Sequence, residues 1–252
     1  MKKSIDVGRV QSILFSMAVE IKNILERHKI PYMIAYGTLL GAVRHKGFIP
    51  WDDDFDFYLF DDTYDQAINW LRRELSGQYF VEDQISEQLY FHGWAHVKDM
   101  KSITECEEFP QDSLYEHKGI SVDLYRTKSM KLKELEPYLN EENRLYIERR
   151  KKNGLITKDE YDIRMKRLQD NINNEKKYAN EEIKVYNLVP LYKCHYMKAS
   201  DIFPLKYYNF NNQSFLGPQR AKEILTDIYG DYMQLPPPEK RRCHYSFVDF
   251  LD

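Results

Sequence analysis

Asp52, Asp53, Asp54 and Asp56 fall within five residues, interleaved with Phe55 and Phe57. No other feature constrains this chain as strongly, because carboxylates this close repel one another. If the run enters a strand, their burial costs on the order of several kcal/mol unless cations compensate them. Side chains alternate along a strand, so Phe55, Phe57 and Leu59 fall on one face and Asp54, Asp56 and Tyr58 on the other. Two carboxylates facing the same way suit a hard divalent ion, Mg²⁺ (or Mn²⁺), which takes oxygen ligands and leaves positions open for substrate phosphates. A surface acidic turn is the plainer alternative. It accounts neither for the apolar alternation nor for the glycines upstream.

The flanking pattern places this strand in a mixed α/β chain. Val10, Ile13, Leu14, Ala18, Ile21, Ile24 and Leu25 recur at helical spacing over residues 8–28, and Lys29-Ile30-Pro31 breaks the pattern before a first strand at Tyr32–Ala35. Gly37-Thr38 opens a short apolar helix ending in Arg44, His45 and Lys46. Thr63 is positioned to cap a helix running through Leu75, and Gln78–Asp83 and Leu89–Lys98 read as strands, as does Ile120–Tyr125, in which Asp123 is a residue that strands disfavour. Residues 131–184 read as charged helices with a turn at Gly154 and Thr157. The predicted organisation is a core over 1–127, a helical arm over 128–190 and a C-terminal segment over 191–252 that packs back on the core.

Composition narrows the function classes. A net charge of -3 and a pI near 6.2 argue against a general nucleic-acid binder. The start, Met-Lys-Lys-Ser-Ile-Asp-Val, lacks the apolar run of a signal peptide, and no window approaches the ~20 apolar residues of a membrane span. A cytoplasmic protein is expected, with peripheral association at the inner face of a membrane left open. The three cysteines Cys106, Cys194 and Cys243 include no CxxC pair, so ordinary thiols are expected rather than disulfides or zinc at Cys194-His195 and Cys243-His244.

Gly37-Thr38 followed by Asp54-Phe55-Asp56 resembles the nucleotidyltransferase signature, a Gly-Ser/Thr turn before a strand bearing Asp-x-Asp. The longer string from Gly37 through Arg44, Pro50 and Trp51 to Asp56 closely resembles the LicD family, which includes bacterial phosphocholine transferases and is related to fukutin-type phosphoalditol transferases. Ile202-Phe203-Pro204-Leu205 and the stretch from Tyr229 to Pro237, with Lys240, Arg241 and His244 following, resemble that family's C-terminal segments. The resemblance implies an α/β (α+β) fold with a DNA polymerase β-like core and mixed sheet. It further implies Mg²⁺-dependent transfer of phosphocholine, phosphoethanolamine or a phosphoalditol from a CDP-linked donor, CDP-choline first among them. The implied acceptor is a sugar of a cell-surface glycan: lipopolysaccharide, capsule, teichoic acid or a lipid-linked precursor. It also implies a third carboxylate on a neighbouring strand, for which Asp123 is the candidate.

On that reading, Asp52, Asp54, Asp56 and Asp123 are the catalytic set and Asp54, Asp56 and Asp123 the metal ligands, with Asp52 and Asp123 as alternative bases for the acceptor hydroxyl. Backbone N–H groups at Gly37 and Thr38 suit donor phosphates at a helix N-terminus, and the Thr38 hydroxyl either adds to them or caps the helix. Arg44 and Lys46 supply positive charge that either grips phosphate or balances the aspartates. His96 and Lys98 alternate on one strand and are further candidates for the donor site. Tyr58, Tyr90, Trp94 and Tyr125 are candidates for holding a quaternary ammonium group by cation–π attraction, with core packing as the alternative. Two competing functions use the same features. One is transfer of NMP to a small molecule; the other is a non-catalytic binding protein of glycan assembly.

Overall fold

The structure, a computed structural model, describes residues 5–107, 109–173, 183–188 and 196–251. Cys194 and His195 lie outside the described residues. The chain opens with α1 (Val7–Arg27), whose first turn is capped where the Asp6 carboxylate accepts the Arg9 N–H at 3.0 Å. Its buried stripe, Val10, Leu14, Met17, Ala18, Ile21 and Leu25, faces the core. β1 (Tyr32–Ile34), α2 (Tyr36–Arg44) and β2 (Asp56–Phe60) follow, then α3 (Asp61–Glu74). β3 (Tyr79–Glu82), β4 (Ala95–Asp99), β5 (Ser102–Cys106) and the long β6 (Ser121–Lys131) lead to the helix pair α4 (Leu135–Lys152) and α5 (Lys158–Asn173). The remainder is β7 (Lys184–Leu188), β8 (Met197–Lys198), the single turn α6 (Ala199–Ile202), the hairpin β9 (Lys206–Phe210) and β10 (Gln213–Gly217), α7 (Ala221–Tyr229) and β11 (Tyr245–Phe250).

A mixed sheet in the order β1-β2-β6-β4-β3 forms the centre, with β2 and β6 parallel and the other pairs antiparallel. β7 pairs with the far half of β6, from Thr127 to Lys131, and β8 with β7. This is the expected α+β arrangement of a nucleotidyltransferase-like fold. Phe55 and Phe57 are fully buried and pack on Phe215, with ring centroids 5.3 and 6.2 Å away, while Phe210 lies 5.3 Å from Phe55. The β9–β10 hairpin thus covers the apolar side chains that alternate with the aspartates. Among the described residues no helix is long and apolar enough to cross a membrane.

Three expectations are corrected. α3 begins directly from β2 with Phe60 at its N-cap; Thr63 lies inside the first turn, donating to the Phe60 carbonyl at 3.3 Å. The strand expected from Leu89 begins only at Ala95, because Tyr90 and Phe91 are both buried in a separate cluster with Tyr115 and Tyr146 instead of alternating between two faces. The boundary expected at residue 127 falls within β6, and β7 belongs to the same sheet. The helices α4 and α5 are therefore an excursion between two paired strands, tied back where Asn153 Nδ2 donates to the Leu89 carbonyl at 3.1 Å.

The hairpin makes a stability prediction. Phe210 is fully buried against Phe15, Phe48, Phe55 and Phe215. Phe210→Ala should destabilise the protein by about 3–5 kcal/mol, the usual range for a core aromatic truncated to alanine, measured by urea unfolding.

Candidate active site

The sheet register lines up four ionisable residues. Glu82 on β3 pairs with His96 on β4, His96 with Asp123 on β6, and Asp123 with Asp56 on β2. Residues opposite one another in a sheet share a face, so the row is also a chain of contacts. His96 Nε2 lies 2.6 Å from Asp123 Oδ1, and Trp94 Nε1 donates to the same oxygen at 2.9 Å. His96 Nδ1 meets the Tyr90 hydroxyl at 3.0 Å and Glu82 at 3.6 Å. Burial alone would lower the His96 pKa, but the carboxylates on both sides raise it to about 9, so the ring is a cation at neutral pH. The same contacts hold Asp123 below its ordinary value against the effect of burial.

Asp56 has no such partner. It is 6% exposed, and its carboxylate forms no ion pair among the described residues. Burial, then Asp123 and Asp54, push its pKa well above the carboxylate range. Its backbone is fixed from both sides: the Asp56 N–H donates to Thr38 Oγ1 at 2.9 Å, and its carbonyl accepts the Ala35 N–H at 3.1 Å.

The turn carrying Asp52, Asp53 and Asp54 is held from α1, where Gln11 Nε2 donates to the carbonyls of Ile49 and Asp52 at 3.0 and 2.8 Å. The three side chains then diverge. Asp53 is fully buried and accepts the backbone N–H groups of His244 and Tyr245 at 2.8 and 2.9 Å, anchoring the start of β11. His244 Nδ1 lies 3.1 Å from Asp53 and 2.7 Å from Asp54, and these contacts push its pKa up to about 12. Asp52 rests against Gly37: a β-carbon there would fall 2.7 Å from Asp52 Oδ2, so any larger residue would displace the Asp52 carboxylate. Burial, then the charge of Asp54, raise the Asp52 pKa to about 7.

Two cavities meet at this cluster and share Asp54, Tyr125 and His244. The larger, about 710 Å³, lies between α2 and the 229–237 segment and is bordered by Gly37, Arg44, Asp52 and Asp56 with Tyr36, Trp51, Tyr229 and Tyr232. The smaller, about 520 Å³, lies between β4, β6 and the β5–β11 pair and is bordered by Asp123, His96 and Lys98. Arg44 Nη1 donates to the Tyr232 carbonyl at 2.5 Å, holding the segment against α2.

The residues expected at the site are divided by this geometry. Gly37, Arg44, Asp52, Asp54, Asp56 and Asp123 all border a cavity. Thr38 is buried and ties α2 to β2, and the N-cap of α2 is Ala35. Lys46 is exposed, borders neither cavity and donates to the Val43 carbonyl at 3.3 Å. His96 faces Asp123 and Glu82, and Lys98 Nζ lies 3.8 Å from Glu82 Oε2, so both cations serve carboxylates first. Of the four aromatic candidates, Tyr58 and Tyr90 are core residues, Trp94 borders the smaller cavity and Tyr125 both.

The donor set suits a hard divalent cation: carboxylate oxygens, with one buried carboxylate, Asp56, that forms no ion pair among the described residues. Among the described residues, the group whose potential ligand atoms all lie within 4.8 Å of one another is Asp52, Asp53, Asp54 and His244, not Asp54, Asp56 and Asp123. Protonated His244 is the cation that holds Asp54 toward Asp53. The roles of His244, Glu82 and Asp53 were not foreseen. Asp53 and Glu82 carried no signal beyond their charge, whereas His244 lay in a C-terminal stretch whose resemblance to the family was noted without a role.

The family model LicD/FKTN/FKRP, nucleotidyltransferase domain, matches residues 29–220. The chain is 26% identical over 268 residues to the lipopolysaccharide cholinephosphotransferase LicD of Haemophilus influenzae, covering 96% of this chain and 97% of that protein. It is also 25% identical over 150 residues to an uncharacterized protein of Rickettsia prowazekii, covering 52% of this chain and 51% of the other. A Rickettsia typhi protein, likewise uncharacterized, is 30% identical over 134 residues, covering 50% of this chain and 41% of its own.

The Asp53 anchor is testable without any ligand. Asp53→Ala leaves two backbone N–H groups unsatisfied and should lower stability by about 2 kcal/mol or more, the scale of losing hydrogen bonds to a buried charge. Hydrogen exchange should accelerate most at the His244 and Tyr245 amides, whereas Asp62→Ala, a change in the first turn of α3, should leave those amides protected.

Proposed function

The chain belongs to the LicD/FKTN/FKRP nucleotidyltransferase family, and on that footing we propose that it transfers phosphocholine or a related phospho-substituent from a CDP-linked donor to a hydroxyl of a cell-surface glycan, with lipopolysaccharide as the first candidate. The observation that carries this reading is the near full-length similarity to the Haemophilus cholinephosphotransferase, together with Asp54, Asp56 and Asp123 at the meeting point of two cavities.

The larger cavity suits the donor. The first N–H groups of α2, at Tyr36, Gly37 and Thr38, have no acceptor within the helix and favour an anion there, and the Arg44 guanidinium adds a charged donor. Tyr36, Trp51, Tyr125 and Tyr229 offer faces for a nucleobase or for a quaternary ammonium group. Asp54, Asp56 and Asp123 would hold the Mg²⁺, which when bound neutralises charge building on the leaving diphosphate oxygen. The acceptor oxygen forms a bond to the phosphorus that carries the head group, the bond from that phosphorus to the bridging oxygen breaks, and CMP departs with the electron pair. Of the two candidate bases, Asp123 borders the smaller cavity and Asp52 only the larger, which favours Asp123 if the acceptor enters opposite the donor.

The test is CMP release from CDP-choline, CDP-ethanolamine, CDP-ribitol and CDP-glycerol with Mg²⁺, beside thermal shifts with the same compounds and with CTP. One CDP conjugate should stabilise the protein in a metal-dependent way and yield CMP. Stabilisation by CTP alone, with pyrophosphate released in place of CMP, would overturn the reading in favour of nucleotidyl transfer. Asp54→Asn and Asp56→Asn should each abolish CMP release while keeping the fold by circular dichroism, because the change keeps volume and removes metal affinity. Arg44→Ala should raise the donor KM about tenfold, the scale of one lost charge-assisted hydrogen bond.

A further inference from the structure

Displacement at phosphorus brings the entering and leaving oxygens roughly in line, on opposite sides of the phosphorus. A transferase that keeps its nucleotide on one side of a carboxylate cluster therefore needs an opening on the other. The larger cavity holds the α2 amides, Arg44, Asp52 and Asp56. The smaller one opens across the shared Asp54, Tyr125 and His244, and Asp123 borders it alone. The two cavities also differ in chemistry. Among the described residues the smaller has no α-helix N-terminus or arginine on its wall; it is bordered by Asp112, Ser121, Ser246, Lys98, Lys118 and Phe109. Hydroxyls, a carboxylate and an aromatic face are the groups that recognise a polyol: the oxygens take and give hydrogen bonds, and the ring covers an apolar sugar face.

Asp112 is prepared for that work. Its side chain is 24% exposed, and behind it the almost wholly buried His92 places Nε2 3.4 Å from its Oδ1. The 3-10 turn Pro110–Leu114 that carries Asp112 is fastened where the Tyr115 N–H donates to the Asp112 carbonyl at 3.1 Å. On the opposite wall, β11 is fixed through the Asp53 anchor, so both walls of the cavity are held by buried contacts.

Resting on the transfer reading above, we propose that this smaller cavity is the acceptor subsite. It takes a sugar or alditol unit with several free hydroxyls, bound by Asp112 and Lys118, and presents one hydroxyl to the phosphorus beside Asp54 and Asp123. That hydroxyl oxygen becomes bonded to phosphorus, its proton passes to a carboxylate of the cluster, and CMP leaves through the larger cavity.

Two variants outside the carboxylate cluster, Asp112→Asn and Lys118→Ala, test the subsite. Each should raise the acceptor KM about tenfold, as the loss of one charge-assisted hydrogen bond does. The donor KM should stay within about twofold of wild type. A raised donor KM with an unchanged acceptor KM, or no change in either, overturns the assignment. CMP release by the wild type reports on the transfer reading by itself. If it fails, saturation-transfer NMR with methyl glucoside, methyl galactoside and the methyl glycoside of N-acetylgalactosamine still decides the subsite: signal on at least one glycoside that Asp112→Asn reduces upholds it, and no signal, or signal that Asp112→Asn leaves intact, overturns it.

Discussion

Asp56 and Asp123 stand opposite each other on adjacent parallel strands at the centre of the sheet, and much of the surrounding structure is arranged around that repulsion. Two carboxylates in register within a sheet destabilise it unless something positive is near. Asp123 is compensated from the side by His96 and Trp94, and His96 is held in turn by Glu82 one strand further on. Asp56 receives no such compensation and is buried against the neighbouring negative charges. One carboxylate is thus paired internally, while the other forms no ion pair among the described residues.

The four aspartates of the run have different fates because the backbone sends successive side chains in different directions. Asp52 lies over the start of α2, Asp53 points into the fold and holds the last strand, Asp54 reaches the junction of the cavities and Asp56 lies on the sheet. Asp53 couples the run to residues almost two hundred positions away in the chain. The C-terminal segment, through that anchor and through the contact between Arg44 and the Tyr232 carbonyl, forms a wall of both cavities. A local acidic motif therefore organises both ends of the chain.

The sequence made locally patterned features legible. The strands at Asp56 and Asp123 follow from period-two alternation, the helix α1 from helical spacing, and the helix pair α4 and α5 from charged composition with a turn at Gly154 and Thr157. Features set by distant contacts were not legible. Nothing in the local sequence distinguishes Asp53 from Asp54, since their difference arises when His244 and Tyr245 arrive. Tyr90 and Phe91 extend an apparent strand in sequence, yet they pack in one buried cluster with Tyr115 and with Tyr146 of the helical arm. His96 and Lys98 were rightly seen to share a strand face. What the spacing could not reveal is that Glu82 and Asp123 occupy the neighbouring strands and engage both cations.

That engagement bears on how the site divides its work. Without that pairing, His96 and Lys98 would add positive charge to the wall of the smaller cavity. Glu82 lies buried between them, 3.6 Å from His96 and 3.8 Å from Lys98, and offsets their charge. Arg44, by contrast, bonds a carbonyl and a histidine ring and forms no ion pair among the described residues, although Asp52, Asp54 and Asp56 border the same cavity. A buried glutamate two strands away from Asp123 thus offsets cationic charge at the smaller cavity, which is consistent with the proposed placement of the phosphate-bearing donor in the larger one.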